Sequence, residues 1–263
     1  MTDADQHLLV AVAEGVMTLT LNRPERKNAF TFPMIDAWVQ ALRLATDDAA
    51  VRVVVVTGSG DAFCAGGDIA EMEERLAQSP LQRKNELWER IQRIPKALEA
   101  LDKPVIAALN GVATGAGLDL ALMCDLRVAA ASARFAETYV KMALVPGAGG
   151  AHFLPRLVGP AKALEMLWTG DFVDAAEALR IGLVNRVVAD ADLSGAVQAL
   201  ASRLAAGPQD AIRAMKRAVW QGLRGDLRAN LDFISSTYGV LTHADDHREA
   251  VRAFMEKRAP RFA

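Results

Sequence analysis

Residues Gly111 to Asp125, GVATGAGLDLALMCD, combine the types needed to hold an oxygen anion and to move a proton beside it. They follow an apolar run, Pro104 to Leu109 (PVIAAL), whose length suits a buried strand. They carry glycines at 111, 115 and 117 before passing into the helical pattern LDLALM. Glycine there lets a backbone run close to a bound group with no Cβ in the way. The first turn of the helix leaves N–H groups without internal partners, which attract a negatively charged oxygen. Asp119 follows Ala116 by three residues, so on a helix its carboxylate projects from the same face. Together they describe an anion hole and a proton carrier sharing one pocket. A plainer account fits too: an acid in a helix's first turn is favoured by the dipole, and glycines before a helix often make a tight turn.

A second stretch repeats this layout. Arg52 to Thr57 (RVVVVT) reads as a buried strand ending in Gly58-Ser59-Gly60; the loop SGDAFCAGGDIAEM then leads to a helix start at or near Asp68. Two such loops can each offer an N–H group to one oxygen.

The remaining elements must position these loops. His7 to Ala13 and Val16 to Leu21 are β-rich runs around Glu14-Gly15, a hairpin closed by Pro24. The segment RPERKNAF is a polar, basic loop, and Phe32 to Leu44 has helical apolar spacing through Ile35, Trp38, Val39 and Leu42. In the charged stretch Glu71 to Lys103, Leu87, Ile91, Ile94 and Leu98 recur at helical spacing, with the charges forming a solvated face. Asp125 to Ala129 is a short strand. In LVPGAGGAHFLPRLVG, residues Pro146, Gly147, Gly149 and Gly150 shape a turn with no room for a regular element. Gly159 to Trp168 is a helix with Pro160 in its first turn, Asp174 and Glu177 make a capping-box-like pair, and Gly182 closes that helix. Asn185 to Val188 is a last strand. From Leu193 the pattern is helical, with breaks at Gly207-Pro208 and Gly222 to Gly225. The fold class is α/β, strands with crossover helices followed by a helical tail, and residues 1–195 divide from 196–263.

The 263 residues suffice to bury a single large core. A formal net charge of −2 gives no overall pull toward nucleic acid or an anionic membrane. The N-terminal MTDADQHLL is acidic where a targeting peptide is basic, and no apolar run reaches the ~18 residues of a membrane span, which points to a cytoplasmic protein. Cys64 and Cys124 form no CxxC and read as reduced thiols in or near the core; no metal site is expected.

FCAGGDIAEM, GVATGAGLDLALMCD, ARFAE, LVPGAGGAHFLPRLVG, WTGDFVDAAEALRIGLVNRVV and AFMEKR, in that order, resemble the crotonase, or enoyl-CoA hydratase/isomerase, superfamily over nearly the whole chain. The resemblance implies a spiral of ββα units and a helical trimerising region, giving a homotrimer or a dimer of trimers. It implies acyl-CoA thioester chemistry through an enolate, with coenzyme A entering as part of the substrate and no tightly bound cofactor. It assigns the oxyanion hole to the N–H groups of Gly67 and Ala116. The segment Ala65, Gly66 and Asp68 would line the CoA groove, although Asp68 is read first as a helix N-cap. Phe254 and Lys257 match tail positions that meet the nucleotide end of CoA; a core aromatic and a solvated lysine are the plainer reading. Lys27 is a further CoA candidate.

The chain departs from the pattern where hydration is carried out. Typical hydratases place two glutamates about the bound water. Here Asp119 holds the first position and Tyr139 the second. A phenol with a pKa near ~10 is a poor base at neutral pH, though it can donate to or orient a water. Glu137 precedes Tyr139 by two residues and would face the same way on a strand but not on a helix. The expectation is therefore hydration of a 2-enoyl-CoA or double-bond isomerisation, with Asp119 and Tyr139 as the catalytic residues. The competing reading is a catalytically weak relative that binds acyl-CoA, a protein or RNA. His152 reads as a structural hydrogen bonder, and Cys64 lacks the nearby histidine of an activated nucleophile. Trp88, Trp168 and Trp220 read as packing residues.

Overall fold

In the computed structural model, residues 7–262 are described; the acidic stretch 1–6, on which part of the targeting argument rests, lies outside them. Ten strands follow in chain order: β1 (Leu8–Ala13), β2 (Val16–Leu21), β3 (Val53–Gly58), β4 (Ala62–Cys64), β5 (Val105–Leu109), β6 (Val112–Thr114), β7 (Leu126–Ala130), β8 (Arg134–Ala136), β9 (Val173–Asp174) and β10 (Arg186–Val188). They form a six-stranded sheet in the order β1-β2-β3-β5-β7-β10 and a four-stranded sheet in the order β4-β6-β8-β9. The β1–β2 hairpin is antiparallel, and Glu14 and Gly15 both have positive φ, as a two-residue hairpin turn requires. From β2 to β10 the larger sheet is parallel.

The chain alternates between the sheets. From β3 it enters β4 and then the helix Ile69–Glu73; from β5 it enters β6 and then the helix Ala116–Met123; from β7 it enters β8 and then the 3-10 turn Thr138–Met142. This is the ββα spiral that the motifs imply. β5 is buried along its whole length and β3 from Val53 to Val56, as parallel strands covered on both faces are. The helix Phe32–Asp47 seals one side with Met34, Ile35, Trp38 and Leu42.

Successive turns of the spiral pack backbone against backbone, and this is where two of the glycines are used. A Cβ on Gly111 would lie 2.1 Å from the Asp61 carbonyl oxygen, and one on Gly117 would lie 2.2 Å from that of Cys64. These glycines therefore admit the neighbouring loop rather than a bound group, a correction to the simplest reading of the sequence. Asn110 ties the same turns together, accepting from the Gly58 N–H at 3.0 Å and donating to the Ala62 carbonyl at 3.0 Å.

Other expectations are corrected. A regular helix, Gly150–Val158, begins inside the stretch read as a turn, because Gly149 at φ +120° starts it rather than extending the loop. Trp88 and Trp168 are 55% and 70% exposed, so neither packs in the core; Trp88 lies under the Lys96 ammonium and Trp168 ends the helix Pro160–Thr169 on the solvent side. Trp220 packs edge-on against Phe153. Phe254, at 83% exposure, is not a core aromatic.

The helix Leu193–Ala205 spans the expected boundary at residue 195 and buries Val197, Ala201 and Ala205 against the larger sheet. The helices Gln209–Gly222, Leu227–Leu241 and Asp245–Met255 complete the tail. In the second of these Leu227, Leu231, Ile234 and Tyr238 share one face and are all exposed. Among the described residues, no helix is long and apolar enough to cross a membrane.

Candidate active site

A cavity of about 270 Å³ lies where the two glycine loops meet, lined by Phe30, Gly67, Met72, Leu87, Ala116, Tyr139 and Ala148 among others. Gly67 and Ala116, from different turns of the spiral, thus face one space. Ala116 opens its helix, so no preceding turn can accept its N–H. Around Gly67 the neighbouring backbone is already used: Phe30 N–H donates to the Gly66 carbonyl at 2.8 Å, and Asp68 N–H donates to the Phe30 carbonyl at 3.2 Å. Among the described residues no carbonyl takes the Gly67 N–H. Gly66, at φ +97°, has the turn geometry that separates these bonds.

Asp68 caps the helix Ile69–Glu73 by accepting from the Ala70 N–H at 3.0 Å, and it accepts from Arg23 Nη1 at 2.9 Å. Burial opposes its charge, yet the Arg23 hydrogen bond and the Ala70 N–H hold its carboxyl below the usual value. Arg23 also donates to the Ala29 carbonyl, which anchors the loop carrying Gly67 to the loop after the first hairpin. Ala65 donates to the Lys27 carbonyl at 2.9 Å, while the exposed Lys27 ammonium pairs with Asp61 at 2.5 Å. Lys27, Ala65, Gly66 and Asp68 surround the Gly67 turn without lining the cavity. Phe254 and Lys257 sit at the end of the helix Asp245–Met255, also outside the cavity wall.

Asp119 is fully buried on the helix Ala116–Met123. Its Oδ2 accepts from the Tyr139 hydroxyl at 2.6 Å and from the Ala148 N–H at 3.0 Å. The carboxylate does not reach the cavity wall; Tyr139 does. Gly115 and Gly147 flank the Tyr139 ring, where an added Cβ would approach to 3.9 and 4.0 Å. The phenol therefore stands between the cavity and the acid, on a wall that Arg83, Lys84 and Glu86 also line.

A second buried acid joins them. Glu137, 0% exposed, immediately precedes the 3-10 turn, with extended-side dihedrals (φ −90°, ψ 83°). Its side chain and that of Asp119 converge beside Gly150, where an added Cβ would lie 2.1 Å from Asp119 Oδ1 and 3.1 Å from Glu137 Oε1. The sequence shows the two-residue spacing to Tyr139, which by itself does not place Glu137 in the site. The spacing gives a shared side only if the backbone is not helical at Glu137, and only the structure decides that.

The electrostatics follow from burial. Burial foremost raises Asp119, opposed by the Tyr139 hydroxyl and the Ala148 and Gly150 N–H groups. Burial and then the Asp119 charge push Glu137 up to about 10. The same two causes raise Tyr139 well above its ordinary value. Of the two acids Asp119, which holds the hydrogen-bond donors, is the better seat for a negative charge, while Glu137 and the phenol are neutral at neutral pH. Burial pushes Cys64 and Cys124 to about 12, so both are inert thiols. His152 packs edge-on against Phe153 and its carbonyl accepts from Arg156, while its ring lies outside the cavity wall. Among the described residues no group of three metal-ligating side chains occurs.

Two free amides and a carboxylate-backed phenol on one cavity can stabilise a developing oxyanion while passing a proton to or from a nearby carbon. Known proteins share this chain's fold and much of its sequence. The family model described as Enoyl-CoA hydratase/isomerase matches residues 11–263. The chain is 37% identical over 260 residues to the crotonyl-CoA hydratase of Syntrophomonas wolfei, covering 98% of each chain. It is 36% identical over 264 residues to the 1,2-epoxyphenylacetyl-CoA isomerase of Escherichia coli, again covering 98% of each. The crystal structure of an enoyl-CoA hydratase of Mycobacterium smegmatis matches with a TM-score of 0.91 at 38% identity, covering 97% of this chain and 98% of that one.

Proposed function

The chain belongs to the enoyl-CoA hydratase/isomerase family, and from that premise we propose that Gly67 and Ala116 hold the thioester oxygen while Tyr139, backed by Asp119, moves the proton. Family membership makes it a lyase or isomerase acting on acyl-CoA thioesters. The observation that carries the site assignment is the 2.6 Å bond from Tyr139 to Asp119, made by a phenol lining the same cavity as both amides.

In isomerisation, a proton leaves the acyl carbon for the phenol oxygen as the phenol's own proton passes to Asp119 Oδ2. The C–H electron pair becomes the enolate, and its negative charge settles on the thioester oxygen between the two amides, each worth ~10²–10³ in rate. The reverse relay returns the proton to a different carbon, and the double bond has moved. Hydration uses the same path: a water adds to C3, its proton enters through Tyr139, and the relay then protonates C2. Isomerisation is the first reading because the relay is single and the second hydratase glutamate is replaced by Tyr139. Hydration is the second, favoured by the crotonyl-CoA hydratase relative.

The Ala65–Asp68 turn borders the CoA groove in this reading, with Asp68 as its cap, and Lys27, Phe254 and Lys257 reach the nucleotide end. The exposed apolar face of the helix Leu227–Leu241 supports a homotrimer or a dimer of trimers. The unpaired buried cysteines support a cytoplasmic location.

The test is deuterium uptake from deuterated water into 2-enoyl- and 3-enoyl-CoA thioesters, with products followed by mass. Wild type is expected to exchange and to convert at least one panel member, and Asp119→Asn to lose both. Exchange surviving in both Asp119→Asn and Tyr139→Phe would overturn the relay. CoA binding without exchange on any thioester would favour the acyl-CoA-binding alternative.

A further inference from the structure

Behind the phenol, Asp119 Oδ1, Glu137 Oε1 and Glu137 Oε2 are buried with no donor in hydrogen-bonding geometry, the Gly150 N–H acting on Asp119 only as a nearby dipole. Asp119 Oδ2, by contrast, takes both the Tyr139 hydroxyl and the Ala148 N–H. The unpartnered oxygens of the two residues converge beside Gly150, whose lack of a Cβ leaves them room. The basic residues of the surrounding elements are engaged elsewhere: Lys141 of the 3-10 turn lies over the Phe172 ring, and Arg156 of the helix Gly150–Val158 donates to the His152 carbonyl. The helix Ala116–Met123 contributes Asp119 and the 3-10 turn contributes Tyr139. The Ala148 to Gly150 segment contributes only N–H groups, and among the described residues no lysine, arginine or histidine forms an ion pair with either acid. Two ionised carboxylates in such a dry site repel each other without relief, whereas one proton between them supplies a partner to an oxygen on each side.

We propose that Glu137 is a positioning residue of the relay: it stays protonated at neutral pH and donates to Asp119 Oδ1, keeping Asp119 anionic and oriented toward Tyr139. This rests on the relay reading above and extends it by one residue. The carboxyl pair and the phenol then form one line, Glu137 to Asp119 to Tyr139, holding a single negative charge. When the substrate gives up its proton, Asp119 receives one through Tyr139 and the charge moves to the thioester oxygen. Glu137 keeps its proton throughout and only exchanges its acceptor's charge state. Burial, followed by the Asp119 charge, keeps the Glu137 carboxyl neutral up to about 10.

The experiment joins infrared difference spectroscopy with a pH profile. Wild type at pH 8 is expected to show the carbonyl stretch of a protonated carboxylic acid, lost in Glu137→Gln. Because glutamine can still donate to Asp119 Oδ1, Glu137→Gln should keep kcat/KM within about threefold and leave its acid limb in place. Glu137→Leu removes the donor, and its acid limb should move up by about one pH unit or more, as a buried carboxylate stripped of a hydrogen bond requires. A wild-type protein without the band, a band persisting in Glu137→Gln, or an unmoved acid limb in a folded Glu137→Leu would each overturn the proposal. If Tyr139→Phe is inactive while the band is missing, only this inference falls. If Tyr139→Phe remains fully active, the relay itself falls.

Discussion

Tyr139 stands between Asp119 and the cavity: its hydroxyl donates to Asp119 Oδ2 at 2.6 Å, and its ring lines a wall that the carboxylate does not reach. A phenol alone is too weak a base at neutral pH. In the proposed relay it is joined to a carboxylate that takes its proton as it receives another, so that it passes protons without ever carrying the charge. On that proposal the residue at the second glutamate position is the outlet of the first acid.

Tyr139→Phe keeps the ring and removes the outlet. We expect kcat to fall by ~10²–10⁴, the range of a lost general acid–base group, with acyl-CoA affinity within a few-fold of wild type. Steady-state kinetics beside equilibrium binding of a saturated acyl-CoA checks this. A comparable loss in affinity would mean that the phenol binds substrate rather than moving a proton.

Gly117→Ala should damage the proposed oxyanion hole from behind. Its Cβ would lie 2.2 Å from the Cys64 carbonyl oxygen, forcing apart the two turns that carry Gly67 and Ala116. We expect a stability loss of ~1–3 kcal/mol in urea unfolding, and a fall in kcat of ~10² from misplaced donors. Gly195→Ala is the control: nothing lies within 4 Å of its Cβ position, so stability should rise by up to ~1 kcal/mol with activity unchanged.

Glu137 gives stability a sign that depends on pH. Its folded value, about 10, lies above the ordinary value of 4.5, so between those pH values the native state holds a proton that the unfolded chain releases. Its contribution is fully present below pH 4.5 and is lost as pH rises toward 10, at no more than ~1.4 kcal/mol per pH unit. Glu137→Gln removes this proton. Urea unfolding at pH 5 and pH 8 should find the variant gaining on wild type as pH rises; a pH-independent difference would contradict the buried neutral acid.

The tail residues can be separated from the reaction site by trimming the substrate. If Phe254 and Lys257 meet the nucleotide end of CoA, then Phe254→Ala and Lys257→Ala should raise KM for CoA thioesters several-fold. Thioesters of pantetheine, which lack the nucleotide, should be unaffected. Equal effects on both substrates would assign these residues to assembly or folding.

What the sequence determined by itself is what depends on local chemistry and chain order. The apolar runs of β3 and β5, the hairpin at Glu14-Gly15 and the cap at Asp68 were all legible there, because strand burial, turn geometry and N-capping are set by a few adjacent residues. The ordered motifs carried the family. Tertiary structure alone decided what depends on residues distant in the chain: that Gly111 and Gly117 admit neighbouring backbone, that Trp88 and Trp168 face outward, and that Tyr139 covers Asp119. Glu137 is the clearest case. Its place in the site turned on the dihedrals of one residue before a 3-10 turn, and its upward pKa shift on burial first and then on a carboxylate eighteen positions earlier, brought within reach by the packing of two spiral turns. Burial and like-charge repulsion act through space, and no spacing in the sequence records that distance.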